Sequence, residues 1–205
     1  MWAEGISIGV FASLIAGLGA GVGALGVFFI RRLSARTEDA LISGAAGVML
    51  AATFLSLLLP GIEHGVRLTG SEAFGVAAVV AGMLLGAAVL RGVHELVPHE
   101  HFQGGHEGPE ATALGRMWLF IIAITLHNFP EGLAVGTGFA EGDWDNGVAL
   151  ATGIGLQNVP EGLTVAVSLL AVGYGRLKAF WIGLLTGLVE PVGGLVGSVL
   201  VTASL

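Results

Sequence analysis

Two related hexapeptides, HNFPEG at 127–132 and QNVPEG at 157–162, interrupt segments that are otherwise almost wholly apolar. A third such segment contains GLVEPVGG at 187–194, with its own carboxylate at Glu190. Imidazole, carboxylate and amide oxygen are the ligand types of borderline and hard divalent cations, and their spacing here suits one. His127 and Glu131 stand i and i+4 on one helical face, and Gln157 and Glu161 repeat that relation, with Asn128 and Asn158 beside them. A carboxylate at bilayer depth costs about 2.5–3.5 kcal/mol, so Glu131, Glu161 and Glu190 together cost on the order of 8–10 kcal/mol unless partnered. No Lys or Arg lies in the middle of these segments. The carboxylates therefore need protons or a bound cation.

Each acidic position comes with a proline. Pro130, Pro160 and Pro191 cannot donate to the carbonyls four residues back, at Leu126, Leu156 and Gly187, and so bend the chain and free main-chain oxygen. Discontinuous helices at mid-membrane are where transporters bind ions. The two N-P-E-G copies lie in consecutive segments that would cross in opposite directions, an inverted pair around a shared site.

The elements that must position these residues are membrane helices. Of 205 residues, 54% are hydrophobic and 11% charged, where a soluble domain carries roughly 25% charged residues. Six apolar segments, at about 6–30, 40–62, 73–97, 117–140, 147–172 and 179–201, reach the roughly 20 residues that a helix needs to cross a bilayer. They do not alternate with period two, which excludes barrel strands. The expected fold is an all-α integral membrane protein, a bundle of six transmembrane helices with proline-kinked spans four, five and six. The chain, 1–205, reads as one transmembrane domain with a His-rich cytoplasmic loop at about 98–116.

Arg31, Arg32, Arg36, Arg91, Arg116, Arg176 and Lys178 border the odd-numbered loops, and only Arg67 borders an even one. The positive-inside rule then places the N-terminus outside a cell membrane and the odd loops in the cytoplasm. The sequence MWAEGISIGV lacks the basic region of a secretory signal, so the first apolar segment is expected to stay as a span. Eight basic residues and a net charge of −7 offer no nucleic-acid surface. Cysteine is absent, which removes disulfides and thiolate ligands. GLGAGVGALG and GGLVG contain small-xxx-small spacings that let helix backbones approach, either within the bundle or across a homodimer.

In order and in motif, HNFPEG in the fourth span, QNVPEG in the fifth and GLVEPVGG in the sixth resemble the ZIP (Zrt/Irt-like) family of divalent-metal transporters, especially its prokaryotic branch. The resemblance covers all six spans and implies transport of a divalent transition metal towards the cytoplasm. It implies one metal among His127, Glu131, Gln157 and Glu161, and a second held with the help of Asn128, Asn158 and Glu190, with Glu131 and Glu161 bridging. It also implies that Met49, Ser56 and Glu63, spaced seven apart on span two, line the outer route. The family fold has eight spans and this chain ends after six, so the last pair would be missing. Gln157 stands where many members have histidine and is a harder ligand; zinc is the first expectation, with cadmium, iron or manganese also accommodated.

Thiolate-free ligands suit borderline divalent ions such as Zn²⁺ better than soft Cu(I). A ligating histidine must be neutral, so binding is expected to weaken as pH falls through about 6.5. His94, His99, His101 and His106, interleaved with acidic residues in the third loop, form an irregular tract of the kind that binds metal weakly on the cytoplasmic side. Its spacing equally fits a plain solvated loop. The fourth loop, EGDWDN, is acidic and serves either to attract cations or to cap span five. Two other functions remain open from sequence. An intramembrane metal-dependent hydrolase would need buried His and carboxylates, but no HExxH occurs. A proton-coupled transporter of another solute would use the glutamates but leaves His127 and the paired asparagines without a reason.

Overall fold

The computed structural model describes residues 2–30, 32–96, 113–140 and 144–204. All regular structure among them is helical. Helix α1 (Trp2–Ala24) tightens into a 3₁₀ turn at Leu25–Phe28. Helix α2 (Ala35–Ala52) runs through a π-helical stretch, Thr53–Leu58, into α3 (Leu59–Thr69). Then follow α4 (Glu72–Leu96), α5 (Ala113–Ala140), α6 (Trp144–Ala171), α7 (Arg176–Gly187) and α8 (Glu190–Ser204). Each of the six expected spans coincides with helical structure, with α2–α3 at the second and α7–α8 at the sixth.

The ends follow local chemistry. Ser34 caps α2 by accepting from Thr37 N–H at 3.2 Å. Gly70, at φ 70°, closes α3 in the left-handed conformation that glycine adopts without strain. Pro130 and Pro160 lie inside continuous helices, whereas span six breaks at Leu188 and Val189, so that Pro191 falls in the first turn of α8, where a missing N–H costs nothing.

Five helical segments are long and apolar enough to cross a membrane: Gly5–Phe28, Ala35–Thr69, Glu72–Val89, Met117–Phe139 and Arg176–Ala203. Helix α6 is not among them, because it carries Gln157, Asn158 and Glu161. It can be polar because it is the central helix, packed against α1, α2, α5 and α7. One apolar cluster, Ala24, Val27, Ile121, Val165, Ala166, Leu169 and Ala179, lies towards one end of the bundle. A second, Ala16, Val135, Phe139, Leu150 and Ile154, lies towards the other. On both α5 and α6 the polar hexapeptides fall between the residues of these two clusters. The result is a polar layer with an apolar plug on either side.

Arg176 donates to the Phe28 carbonyl at 3.1 Å and Trp118 Nε1–H to the Tyr174 hydroxyl at 3.0 Å. These contacts bring the end of α1, the start of α5 and the α6–α7 turn to one end of the bundle. That end carries Arg32, Arg176 and Lys178.

Candidate metal centre

The glycine that closes each hexapeptide builds the centre. Gly132 on α5 lets the backbone of α8 approach so closely that a Cβ there would stand 2.6 Å from the Glu190 Cα. Gly162 on α6 does the same for α1, where a Cβ would stand 2.6 Å from the Ala20 Cα. Each Glu-Gly pair therefore supplies a carboxylate and, one residue on, the flat surface that draws in the neighbouring helix.

The ligand atoms of His127, Glu131 and Glu161 lie within 4.8 Å of one another, with His127 Nε2 3.6 Å from Glu131 Oε1. Gln157 Nε2–H donates to Glu131 Oε1. Asn158 Nδ2–H donates to Glu190 Oε1 at 2.6 Å and to the Ala16 carbonyl at 2.9 Å. Asn128 Nδ2–H donates to the Thr186 carbonyl at 3.1 Å. Of the seven residues singled out from sequence, His127, Glu131, Gln157 and Glu161 thus form one group and Asn158 and Glu190 a second, while Asn128 bonds to the α7 main chain. His127 is 45% exposed against 7% for Glu131, so the layer is open on the flank where the imidazole stands.

The donors are spent and the acceptors are not. Among the described residues, the buried side-chain N and O atoms without a partner are Asn128 Oδ1, Glu131 Oε2, Gln157 Oε1, Asn158 Oδ1, Glu161 Oε2 and Glu190 Oε2. All are oxygens, and they come from six of the seven residues of the layer. If these side chains served only to bridge helices, the oxygens would be paired. An unsatisfied buried polar atom costs about 1–3 kcal/mol, so the set costs on the order of 10 kcal/mol. Six unpaired buried oxygens with no Lys or Arg among them fit a cation. Of the expected metals, it suits those that accept carboxylate and amide oxygen along with one imidazole.

The remaining candidates lie apart. Ser56 is buried within the π-helical stretch, Met49 is half-buried and Glu63 is exposed. Their seven-residue spacing assumes an unbroken α-helix, and the wider π turn between Met49 and Glu63 slips that register. His94 falls in α4; His99, His101 and His106 lie outside the described residues, as do Glu141 to Asp143 of the fourth loop. Asp145 stands in the first turn of α6. The Gly187 carbonyl, which Pro191 cannot serve, lies against Gly17 of α1 and forms a helix–helix contact.

Sequence reading missed the Thr186 and Ala16 carbonyls as hydrogen-bond partners of the layer, and it missed the packing role of Gly132 and Gly162. The repeated glycine after each glutamate was the available signal for the second. For the Thr186 carbonyl, the signal was the span-six break, which leaves the last turn of α7 without intrahelical donors; the Ala16 carbonyl, inside α1, carried none.

A family model described as ZIP Zinc transporter matches residues 90–205. The chain is 45% identical to the zinc transporter ZIPB of Bordetella bronchiseptica over 176 residues, 86% of this chain and 57% of that protein. It is 44% identical to the zinc transporter GufA of Myxococcus xanthus over 190 residues, 92% of this chain and 74% of that protein. Human zinc transporter ZIP11 is 32% identical and covers 86% of this chain, which in turn spans 75% of ZIP11. The chain therefore spans a little over half to three quarters of the length of these relatives.

Proposed function

Because the chain belongs to the ZIP zinc transporter family, on its prokaryotic side, we propose that it carries a divalent transition-metal cation across a cell membrane towards the cytoplasm. Zinc is the first cargo, and cadmium, iron or manganese fit the same donors. The single observation that carries this reading is the layer of six buried, unpartnered oxygens between two apolar clusters. A hydrated cation halfway across must exchange its waters for ligands of this kind. The family is one of transporters and not of enzymes, which sets the hydrolase reading aside.

In this proposal His127, Glu131, Gln157 and Glu161 take one metal, and Asn128, Asn158 and Glu190 help hold a second across the bridging glutamates. The split follows the contacts: His127, Glu131 and Glu161 cluster, while Asn158 engages Glu190. Ser56, buried where the π stretch meets α5 and α6, is the best placed of the three span-two residues to border the route, with Met49 and Glu63 above and below it. The basic end of the bundle faces the cytoplasm, so the N-terminus is outside. The third-loop histidines His94, His99, His101 and His106 then meet metal on the inner side. The exposed apolar surfaces of α2 and α4 suit lipid or the interface of a homodimer.

Zinc or cadmium uptake into proteoliposomes, compared between the chain, Glu161→Ala and empty vesicles, tests the reading. The expected result is flux that Glu161→Ala abolishes. Binding that depends on Glu161 without flux would support the site and reject transport by this chain alone. Absence of both would overturn the metal reading.

A further inference from the structure

We infer that the break in span six is a positioning device for Asn128: Pro191 leaves the Thr186 carbonyl free to take the Asn128 amide donor, which turns Asn128 Oδ1 into the metal layer. The inference rests on the metal reading above and concerns how the layer is held.

A primary amide is nearly symmetric in shape, with an oxygen on one side and an NH₂ on the other. Presented the wrong way round, it offers hydrogens to a cation. Something must fix the orientation before metal arrives, and a buried acceptor on the NH₂ side does so. For Asn128, 1% exposed, that acceptor is the main-chain oxygen of Thr186, itself 3% exposed, at 3.1 Å. In a continuous helix this oxygen would be taken by the Glu190 N–H. Here α7 ends at Gly187 and α8 begins at Glu190. Across the break the main chain bonds Leu188 N–H to Leu185 O at 3.2 Å, and Val192 and Gly193 N–H to Val189 O at 3.0 and 3.2 Å. Proline disfavours the helical conformation of the residue before it and its ring clashes with the carbonyl four residues back, so Pro191 opens the helix between 187 and 190. The Thr186 side chain does not compete for Asn128, because its hydroxyl donates to the Gly183 carbonyl at 2.8 Å.

The other two amides are oriented independently, Gln157 by Glu131 and Asn158 by Glu190 and Ala16, and each also leaves its oxygen unpaired. Only Asn128 depends on an acceptor that the break exposes. Pro191 and Thr186 are therefore positioning residues that act through Asn128.

The test is a double-mutant cycle on Cd²⁺ affinity, measured by calorimetry on the purified full chain in detergent. Asn128→Ala and Pro191→Ala are each expected to weaken binding about tenfold, the lower end of effects seen when a ligand's supporting contact is removed. The double variant should then be about tenfold weaker, not about a hundredfold, because once Asn128 is gone Pro191 has nothing left to aim. Additive losses, or wild-type affinity in Pro191→Ala, would overturn the inference. Pro191→Ser, which also restores the N–H and suits a helix end, replaces Pro191→Ala if the latter does not fold. In the unmodified chain labelled with ¹⁵N-asparagine, the Asn128 side-chain NH₂ is expected to exchange slowly with solvent with and without Cd²⁺; fast exchange without metal would also overturn the inference. Glu161→Ala separates the two levels. If it binds Cd²⁺ like the wild type, the metal reading fails; if it loses binding while the cycle is additive, only the positioning role fails.

Discussion

Glycine does different work in the two parts of the molecule. Across α1, α5, α6, α7 and α8 it brings backbone onto backbone: Gly132 meets Glu190, Gly136 meets Gly194, Gly162 meets Ala20, and Gly17 and Gly187 meet each other. In α2 and α4, Gly44, Gly47, Gly82, Gly86 and Gly92 have nothing within 4 Å of where a Cβ would stand. The hairpin of α2–α3 with α4 makes close approaches of its own, where Gly65 of α3 meets Gly75 of α4 and Gly75 meets the Ile62 carbonyl. Its contact with the block is looser, with Ala52 and Val48 side chains 3.6 and 3.7 Å from the Gly153 Cβ position. Every residue of the polar layer stands in the tightly joined block. A ligand set drawn from several helices needs those helices fixed to within a fraction of an ångström, and direct backbone contact achieves that with the fewest rotatable bonds.

The sharpest way to break this contrast is to add one methyl group in the block. Gly132→Ala would place a Cβ 2.6 Å from the Cα and carbonyl carbon of Glu190, main-chain atoms that no side-chain rotation can move aside. Overpacking of this kind costs about 1–3 kcal/mol or more. The expected outcome is a clear drop in Tm in detergent and loss of Cd²⁺ binding, since the displaced strut carries Glu190. Gly162→Ala, against Ala20, should behave alike. Wild-type binding by Gly132→Ala would show that the block tolerates slack.

A second effect runs in opposite directions for stability and binding. Glu161→Gln removes a half-buried carboxylate with no Lys or Arg beside it, so the metal-free protein should gain stability. The same change should abolish the rise in Tm that metal produces, a rise worth about 2.7 kcal/mol at a hundredfold excess over Kd. Thermal unfolding with and without Zn²⁺ checks both signs. A loss of stability in the metal-free variant would mean that Glu161 is held by contacts other than a cation.

The six spans were legible because a membrane helix is written in length and hydropathy, and α6 was legible despite its polarity because the polar residues came in a repeated motif. The candidate ligands stood out because carboxylates without Lys or Arg partners have few uses inside a bilayer. Long-range hydrogen bonds were not: nothing local to residue 186 says that Asn128 will lie against its carbonyl, 58 positions away. The π stretch at Thr53–Leu58 escaped for a related reason, since its one-residue slip leaves no mark on an apolar run. The flat sides of Gly132 and Gly162 were in view, but only the packed partner tells a strut from a spare glycine.

Proton competition gives a smaller, graded effect that also discriminates between the regions. Metal ligands must be deprotonated, so acid works against binding: protons occupy His127 and the carboxylates, and the metal-dependent rise in Tm should shrink as pH falls from 8 to 5. Basic pH has the reverse sign until metal hydroxides form. His127→Ala should bind more weakly at pH 8 and lose part of this dependence. A flat profile for the wild type would count against imidazole as a ligand. Glu63→Gln, on the exposed hairpin, should leave the profile unchanged.

The smallest effect is expected where the glycines touch nothing. Gly82→Ala and Gly86→Ala add methyl groups to open space on α4. Alanine is the better helix former by about 0.5–1 kcal/mol in water, because glycine gives up more backbone freedom on ordering. With no neighbour to strike, the change should leave Cd²⁺ affinity within twofold of wild type, and Tm should stay level or rise slightly. A change of the same chemistry at Gly132 is expected to abolish binding, so the pair of measurements isolates packing from propensity. If Gly82→Ala and Gly86→Ala instead lower Tm in a manner that depends on protein concentration, the vacant face of α4 is closed by a second copy of the chain, and the looseness of the hairpin belongs to the monomer alone.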